Sequence, residues 1–505
     1  MKIFLCIIGL IGVAGTAVLA DPAFVDDSPA LPATQIYGGG WEHFVGGGVA
    51  VFDCNGDQRP DLYAAGGGNP SRLFVNTSAQ GGPIRFDLGQ VPEVTEVTGA
   101  YPIDIDSDGA LDLVVLRVGQ NALLRGDGHC GFADATQEWG LPARDAWTTA
   151  FTATWENGQD WPTLVFGNYV NRADPNGPFE ACDTSEVIRP EGRKYGVTVM
   201  IRPGYCALSM LISDWQRKGT PELRISNDRH YYVRGGFEQM LHLNPLQERA
   251  DWPKISLWGM GVASRDITGD GLPEVVMTSM GDQLLQFNRG DGFENAPYSI
   301  GTYAQRPFFG DDGRPSTGWH SEFGDIDNDG LPDLFIAKGN VDQMPSNAIH
   351  DPNNLLMQQA DGTFVEKADV AGVATTERSR GAALSDLNGD GLLDLVVVNR
   401  RAPLEIWRNV TANTGNWAEI ETVQPGMNRR AVGSWVELRS GDRVQSQEVT
   451  IGGGHASGAA LPLHFGLGSA ESAEVRVIWP DGQVGEWLPV AVNGRTRVEP
   501  ARSGG

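Results

Sequence analysis

Asp325-Ile326-Asp327-Asn328-Asp329-Gly330-Leu331-Pro332-Asp333-Leu334-Phe335-Ile336-Ala337 sets acids at the first, third, fifth and ninth positions of a short loop, a glycine at the sixth, and an apolar run behind it. Closely similar stretches begin at Asp104, Asp266 and Asp386, a fifth begins at Asp53, and two weaker copies begin at Trp155 and Asp214. The starts at 53, 104, 155, 214, 266, 325 and 386 are 51 to 61 residues apart. A near-constant period of this kind marks a repeat architecture.

Each copy is entered by a small, apolar segment such as Gly381-Ala382-Ala383-Leu384 and left by a β-branched run such as Leu395-Val396-Val397-Val398. That pattern reads as strand, tight acidic loop, strand. A third strand follows, as in Arg72-Leu73-Phe74-Val75-Asn76, and a fourth begins near Phe293 or Phe364 after a Gly-containing turn. Four strands per repeat predict an all-β fold, a seven-bladed integrin-α-like β-propeller over residues 21–412. A closed ring leaves no unpaired edge. Phe24-Val25-Asp26-Asp27, which resembles Phe364-Val365-Glu366-Lys367, is therefore expected to complete the blade of residues 381–410. Residues 171–212 read as a long insertion. Alternation in Ser434–Leu438 and Glu474–Trp479 predicts a C-terminal β-rich domain over 413–500.

Carboxylates at positions 1, 3, 5 and 9 converge hard oxygen ligands, which suits Ca²⁺ with its 6 to 8 oxygens at about 2.3–2.6 Å. The expected ligand sets, each with the seventh-position carbonyl, are Asp53, Asn55, Asp57, Arg59 and Asp61; Asp104, Asp106, Asp108, Ala110 and Asp112; Asp266, Thr268, Asp270, Leu272 and Glu274. Two more are Asp325, Asp327, Asp329, Leu331 and Asp333, and Asp386, Asn388, Asp390, Leu392 and Asp394. About five structural Ca²⁺ ions follow. Gln58 replaces the sixth-position glycine in the first set, which leaves its turn open to question. The copies at Trp155 and Asp214 have lost too many acids for a metal, and Lys218 is expected to put an ammonium at the centre of the second. An EF-hand would run into a helix, whereas these loops run into Val, Ile and Leu strands.

Residues 1–20 have Lys2 ahead of the short apolar run Ile3–Val13 and end in Val18-Leu19-Ala20, the pattern of a signal peptide cleaved before Asp21. No later stretch is apolar for long enough to serve as a transmembrane anchor. A secreted or periplasmic chain is expected. Cys54, Cys130, Cys182 and Cys206 then lie in an oxidising compartment, with three pairings open and free buried thiols as the alternative. Cys182 with Cys206 is preferred because both fall in the inter-repeat insertion, leaving Cys54 with Cys130. A formal net charge of −26 argues against nucleic acid as partner.

Hairpin order places the acidic loops on one face of the ring. The other face is expected to collect Trp41, His43, Trp147, Arg229, His230, Tyr231, Trp258, Asp282, Trp319, His320, Lys338, Arg400 and Arg401. Such groups can bind a sugar, a peptide or a small anion, or can pack between blades. His455 and His464 read as structural. No zincin, phosphate-loop or nucleophile-elbow motif is present, so an enzyme is the weaker reading.

Taken together, the acidic loops resemble FG-GAP and VCBS repeats, the type of propeller in integrin α-chain heads. Arg430–Glu437, Gly452–Ser457, Leu463–Gly468 and Val475–Gly482 resemble the ASPIC and UnbV domain. The order of the two is similar to that in the cartilage acidic protein family and its bacterial relatives. The resemblance implies a calcium-binding extracellular or periplasmic interaction or adhesion module, with a protein or glycan partner. The alternative is a calcium-dependent carbohydrate-active or other hydrolase or lyase working on the opposite face.

Overall fold

The computed structural model describes residues 21–228, 235–303, 316–341 and 350–501. The leader and the expected face residues Arg229, His230 and Tyr231 lie outside the described residues.

The apolar runs form four-stranded antiparallel arrays, each with a buried inner strand ahead of its acidic loop. The first uses Val49–Phe52, Asp61–Ala64, Arg72–Asn76 and Phe86–Leu88, and the sixth uses Gly318–Gly324, Asp333–Lys338, Asn354–Gln358 and Phe364–Glu366. Equivalent arrays start with the inner strands Val97–Ile103, Ala146–Thr154, Ala207–Ser213, Gly259–Arg265 and Ser379–Ser385. Each inner strand lies against the next, and Ser379–Ser385 lies against Val49–Phe52, so the arrays close in a propeller-like ring. Apolar clusters fill the space between neighbours, as where Phe335 and Leu355 meet Leu384 and Leu395.

The outer strand of the last array is Phe24–Asp26, which pairs with Glu405–Asn409 in the register Phe24↔Asn409 and Asp26↔Trp407. The first strand is thus tied to the last repeat by main-chain hydrogen bonds, which covers the open edge of that repeat's third strand.

The stretch expected to be an insertion over 171–212 is a correction. Ser185–Pro190 and Tyr195–Ile201 are the third and fourth strands of the third array, and Ala207–Ser213 is already the inner strand of the fourth. Only the loop before Ser185 is extra, and it carries Cys182, bonded to Cys206. Cys54 is bonded to Cys130 and joins the first acidic loop to the hairpin of the second array.

Residues beyond 413 build two small sheets, one ordered Leu463–Gly468, Asn416–Thr422, Gly494–Val498 and one ordered Arg443–Glu448, Trp435–Ser440, Glu474–Ile478, Leu488–Pro489. Val436, Leu438, Phe465, Val475 and Trp479 are buried between them. One strand leaves this unit: Gly458–Ala460 pairs in parallel with Ala50–Phe52 of the ring.

Candidate metal loops beneath the C-terminal unit

The ninth-position acid does a job that spacing alone does not reveal. Asp333 accepts the Ile326 N–H at 2.9 Å and the Gln358 N–H at 2.8 Å, tying the loop to the end of the third strand. Asp112 does the same with Ile105 and Gly126, and Asp394 with Leu387 and Asn409. The first-position acid shapes the turn. Asp325 takes the Gly330 N–H at 2.7 Å, Asp266 that of Gly271 at 3.0 Å, and Asp386 that of Gly391 at 2.7 Å. Gln58, at the position held elsewhere by glycine, adopts a left-handed φ of 67° and still donates to Asp53 at 2.8 Å. The first turn therefore keeps its geometry at a backbone cost of roughly 1–2 kcal/mol.

These bonds leave carboxylate oxygens turned into the loop. Asp104 Oδ1 and Asp325 Oδ1 are buried and have no hydrogen-bond partner. Ligand atoms of Asp325, Asp327 and Asp333 lie within 4.8 Å of one another, as do those of Asp104, Asp106 and Asp108. Burial and then mutual repulsion with Asp108 and Asp106 push Asp104 up to about 6. Burial, only partly offset by the backbone donors, pushes Asp112 to about 8, Glu274 to about 8, Asp386 to about 7 and Asp61 to about 7. Asp333 and Asp394 are also raised, again chiefly by burial. Without a counter-ion these groups would be costly as anions. The donor set, all hard oxygens around an orphaned carboxylate, fits Ca²⁺.

The two degenerate copies solve the same problem differently. Glu156 in the third loop accepts from Arg189 Nε at 2.7 Å. Glu222, the ninth position of the fourth loop, meets His242 at 2.7 Å and Arg249 at 3.1 Å. Lys218 does not fill the loop centre as expected. Its Nζ donates outward to Gln216 at 3.0 Å, while Asp214 is satisfied by the Lys218 and Gly219 N–H groups at 3.0 and 2.7 Å. In the five acid-rich loops, Asp57 alone among the described carboxylates pairs with a cation, the exposed Arg59 at 3.6 Å.

The loops do not face solvent evenly, because the C-terminal unit sits on them. Gly415 N–H donates to Asp327 O and Gly468 N–H to Asn328 O, both at 2.8 Å, and His464 Nε2 bonds Asn328 Oδ1 at 2.7 Å. Asn428 N–H reaches Ser107 Oγ at 3.1 Å, and Arg217 Nη2 reaches Glu437 at 2.7 Å. Glu448 accepts from Ser213 and from the Asp214 N–H. The sixth loop is the most enclosed, with Asp325, Asp327, Asn328 and Asp333 all buried, whereas Asp57 in the first is exposed.

From this unit residues 451–460 enter the axis of the ring. Thr152 Oγ1 donates to Ile451 O at 2.6 Å, Gly453 N–H to Met210 O at 2.7 Å and Gly454 N–H to Val262 O at 2.6 Å. The His455 N–H donates to His320 Nδ1 at 3.1 Å, and His455 Nε2 accepts the Gly46 N–H at 3.0 Å. Ala100 N–H donates to Ala456 O at 3.2 Å, and Val49 N–H to Ser457 Oγ at 3.1 Å. The sequence does carry a signal for this. Five residues ahead of each loop start stand Gly48, Gly99, Ala150, Ser209, Gly261, His320 and Gly381, small in every array but one. A Cβ on Gly48 would lie 1.8 Å from Ala456 O, so the axis is kept free for a chain. His320 is the exception, and its Nδ1 accepts the His455 N–H of the inserted segment.

The expected opposite-face set is corrected by this arrangement. Trp147, Trp319, His320, His43, Lys338 and Arg400 are buried and do not line an open mouth. Lys338 pairs with Asp351 at 3.4 Å, Arg400 donates to His43 O at 3.0 Å, and His320 contacts Glu322 at 3.3 Å. Trp41 stays 44% exposed, edge-on to Trp147 at 4.8 Å, with Trp258 half-buried and Asp282 and Arg401 exposed.

The FG-GAP-like repeat family matches residues 53–115, 266–336 and 325–397, and the ASPIC and UnbV family matches residues 424–504. Cartilage acidic protein 1 of Homo sapiens is 26% identical over 164 residues, 32% of this chain and 24% of that protein. That of Xenopus tropicalis is 29% identical over 112 residues, 21% of this chain and 17% of that protein. These matched stretches span a quarter or less of the curated relatives' length. Among solved structures, BBS1N in complex with ARL6DN aligns at a TM-score of 0.47 and 9% identity, covering 77% of this chain and 97% of that one. An Agrocybe aegerita structure described for recognition of non-reducing terminal N-acetylglucosamine aligns at 0.29 and 14%, covering 73% and 81%.

Proposed function

We propose that this chain, which carries FG-GAP-like repeats followed by an ASPIC and UnbV domain, is an exported calcium-binding seven-bladed β-propeller acting as an extracellular or periplasmic interaction module. The observation that carries the calcium reading is the contrast between loops. Five gather several carboxylates of which, among the described groups, only Asp57 forms an ion pair, while the two that lack the acid set neutralise Glu156 with Arg189 and Glu222 with Arg249. Asp325, Asp327, Asp329 and Asp333, and their counterparts at Asp53, Asp104, Asp266 and Asp386, would hold the ions. Bound calcium would supply fixed positive charge to the loop; the protein's own residues set the turn through the first-position acid and the hairpin through the ninth. The disulfides Cys54–Cys130 and Cys182–Cys206 support an oxidising compartment.

With the loop face covered and the axis filled, recognition is assigned to the opposite face around Trp41 and to the rim. The exposed Trp41, edge-on to Trp147, suits contact with a protein or glycan partner better than a buried reaction centre. Immobilised protein is to be screened against glycans and cell-surface proteins in calcium and in chelator. Calcium-dependent retention that is lost in Trp41→Ala is expected. Turnover of a glycan by the calcium-loaded protein would overturn the binding reading in favour of a hydrolase or lyase.

A further inference from the structure

The inserted segment is held differently from the strands around it. Apart from the three-residue ladder of Gly458–Ala460 with Ala50–Phe52, it is held by single hydrogen bonds to successive arrays, in contrast to the longer ladders that hold each array together. Gly452, Gly453 and Gly454 have φ of 122°, 77° and 57°, so the segment is irregular ahead of the strand Gly458–Ala460. A cavity of about 290 Å³ runs beside it, lined by Gly452, Gly454, Ser457, Arg265, Glu322 and Arg430. The segment's two ends are anchored elsewhere: Glu448 and Gln447 precede it and His464 follows it, and both anchors rest on acidic loops or the adjacent strands.

We infer that residues 451–460 are a separable plug of the ring axis, and that calcium in the loops holds them there. The inference rests on the calcium reading above. Its physical basis is the shared contact. Asn328 belongs to the sixth acidic loop and also bonds His464 and Gly468. Trp417 lies over Gly391 of the seventh, where a Cβ would fall 1.9 Å from its indole nitrogen. A loop that loses its ion relaxes the turn on which these groups sit, and the small unit and its inserted strand lose their seat. By linkage the effect is mutual: loosening the seat weakens calcium at those loops by the same factor. Ring and segment approach closely where glycines meet: a Cβ on Gly48 or Gly99 of the ring would fall 1.8 or 2.3 Å from Ala456 O, and one on Gly454 of the segment 2.3 Å from the His320 ring.

The test is hydrogen exchange of the whole protein, read at Gly453 and Gly454 against Val396 and Val397 of the last array, with calcium bound and after chelation, the metal count being followed separately by mass. On removing calcium, exchange in 451–460 is expected to rise at least tenfold while the array strands stay protected. His464→Ala should produce the same rise with calcium present. The Ala100 N–H, which donates to Ala456 O of the segment rather than within its own array, should lose protection with the segment and regain it when a synthetic peptide of residues 450–461 is added. Unchanged protection of 451–460 in protein shown by mass to have lost its calcium would overturn the inference and leave the metal reading intact, and so would loss of segment and arrays together. Absence of any bound calcium would overturn both.

Discussion

Lowering the pH from 7 to 5 should cost stability at His455, a histidine at the ring axis. His455 is fully buried, with Nε2 accepting the Gly46 N–H and Nδ1 facing Leu208 O at 3.2 Å, so only the neutral ring with the proton on Nδ1 satisfies both neighbours. Burial, with Arg380 and His320 adding repulsion, lowers its pKa from 6.5 to about 3. An unfolded histidine titrates near 6.5. The folded value is the lower one, so the unfolded chain binds the proton first. The stabilisation is complete above about pH 6.5, falls as pH drops, and is exhausted near pH 3. Integrating the unfolded-state uptake from pH 7 to pH 5 gives about 2 kcal/mol. The result is insensitive to the exact folded value, because both pH values lie well above it. His455→Gln keeps one donor and one acceptor but does not titrate. Urea unfolding in saturating calcium at both pH values should give the wild type an extra loss of about 2 kcal/mol over the variant, with His464 cancelling in the difference. Equal losses in the two proteins would refute the buried neutral assignment and with it the filled axis.

Gly48→Ala sets a methyl group 1.8 Å from the Ala456 carbonyl oxygen, and should cost about 1–3 kcal/mol by overpacking, read as a lower urea midpoint with an unchanged slope. Opening the Cys182–Cys206 bond, which spans 24 residues, by Cys206→Ser should cost about 3 kcal/mol, read by thermal unfolding without reductant. Asp325→Asn should lower the calcium-loaded melting temperature far more than Asp57→Asn, because Asp325 is buried under the C-terminal unit while Asp57 is exposed; calorimetry at fixed calcium compares them.

Much of this fold is legible in the chain because the repeat writes its signals locally. The acid spacing, the glycine at the sixth position and the β-branched run each specify a turn or a strand without reference to distant residues, and Phe24–Asp26 copies the outer-strand pattern closely enough to find its partner at Glu405–Asn409. Third and fourth strands away from the loops were harder. Ser185–Pro190 follows a long cysteine-bearing loop whose Asp174-Pro175-Asn176-Gly177 turn does not lead directly into a strand, so the third and fourth strands of the third array read as part of an insertion. The site was legible in composition but not in enclosure. Nothing local in Gly452–Ser457 says that it threads a ring; only the column of small residues five places ahead of each loop does, and that is a property of the repeats taken together. For the same reason Trp319 and His320 read as surface groups, whereas their depth is set by a segment 130 residues away.

The central claim is that five loops hold calcium and two do not. Native mass spectrometry of the mature protein after calcium saturation and buffer exchange counts the ions directly. Five ions on the wild type, four after Asp325→Asn combined with Asp333→Asn, and five still after Glu156→Gln are predicted. A wild type that carries none, or a count unmoved by the paired change in the sixth loop, would contradict the account.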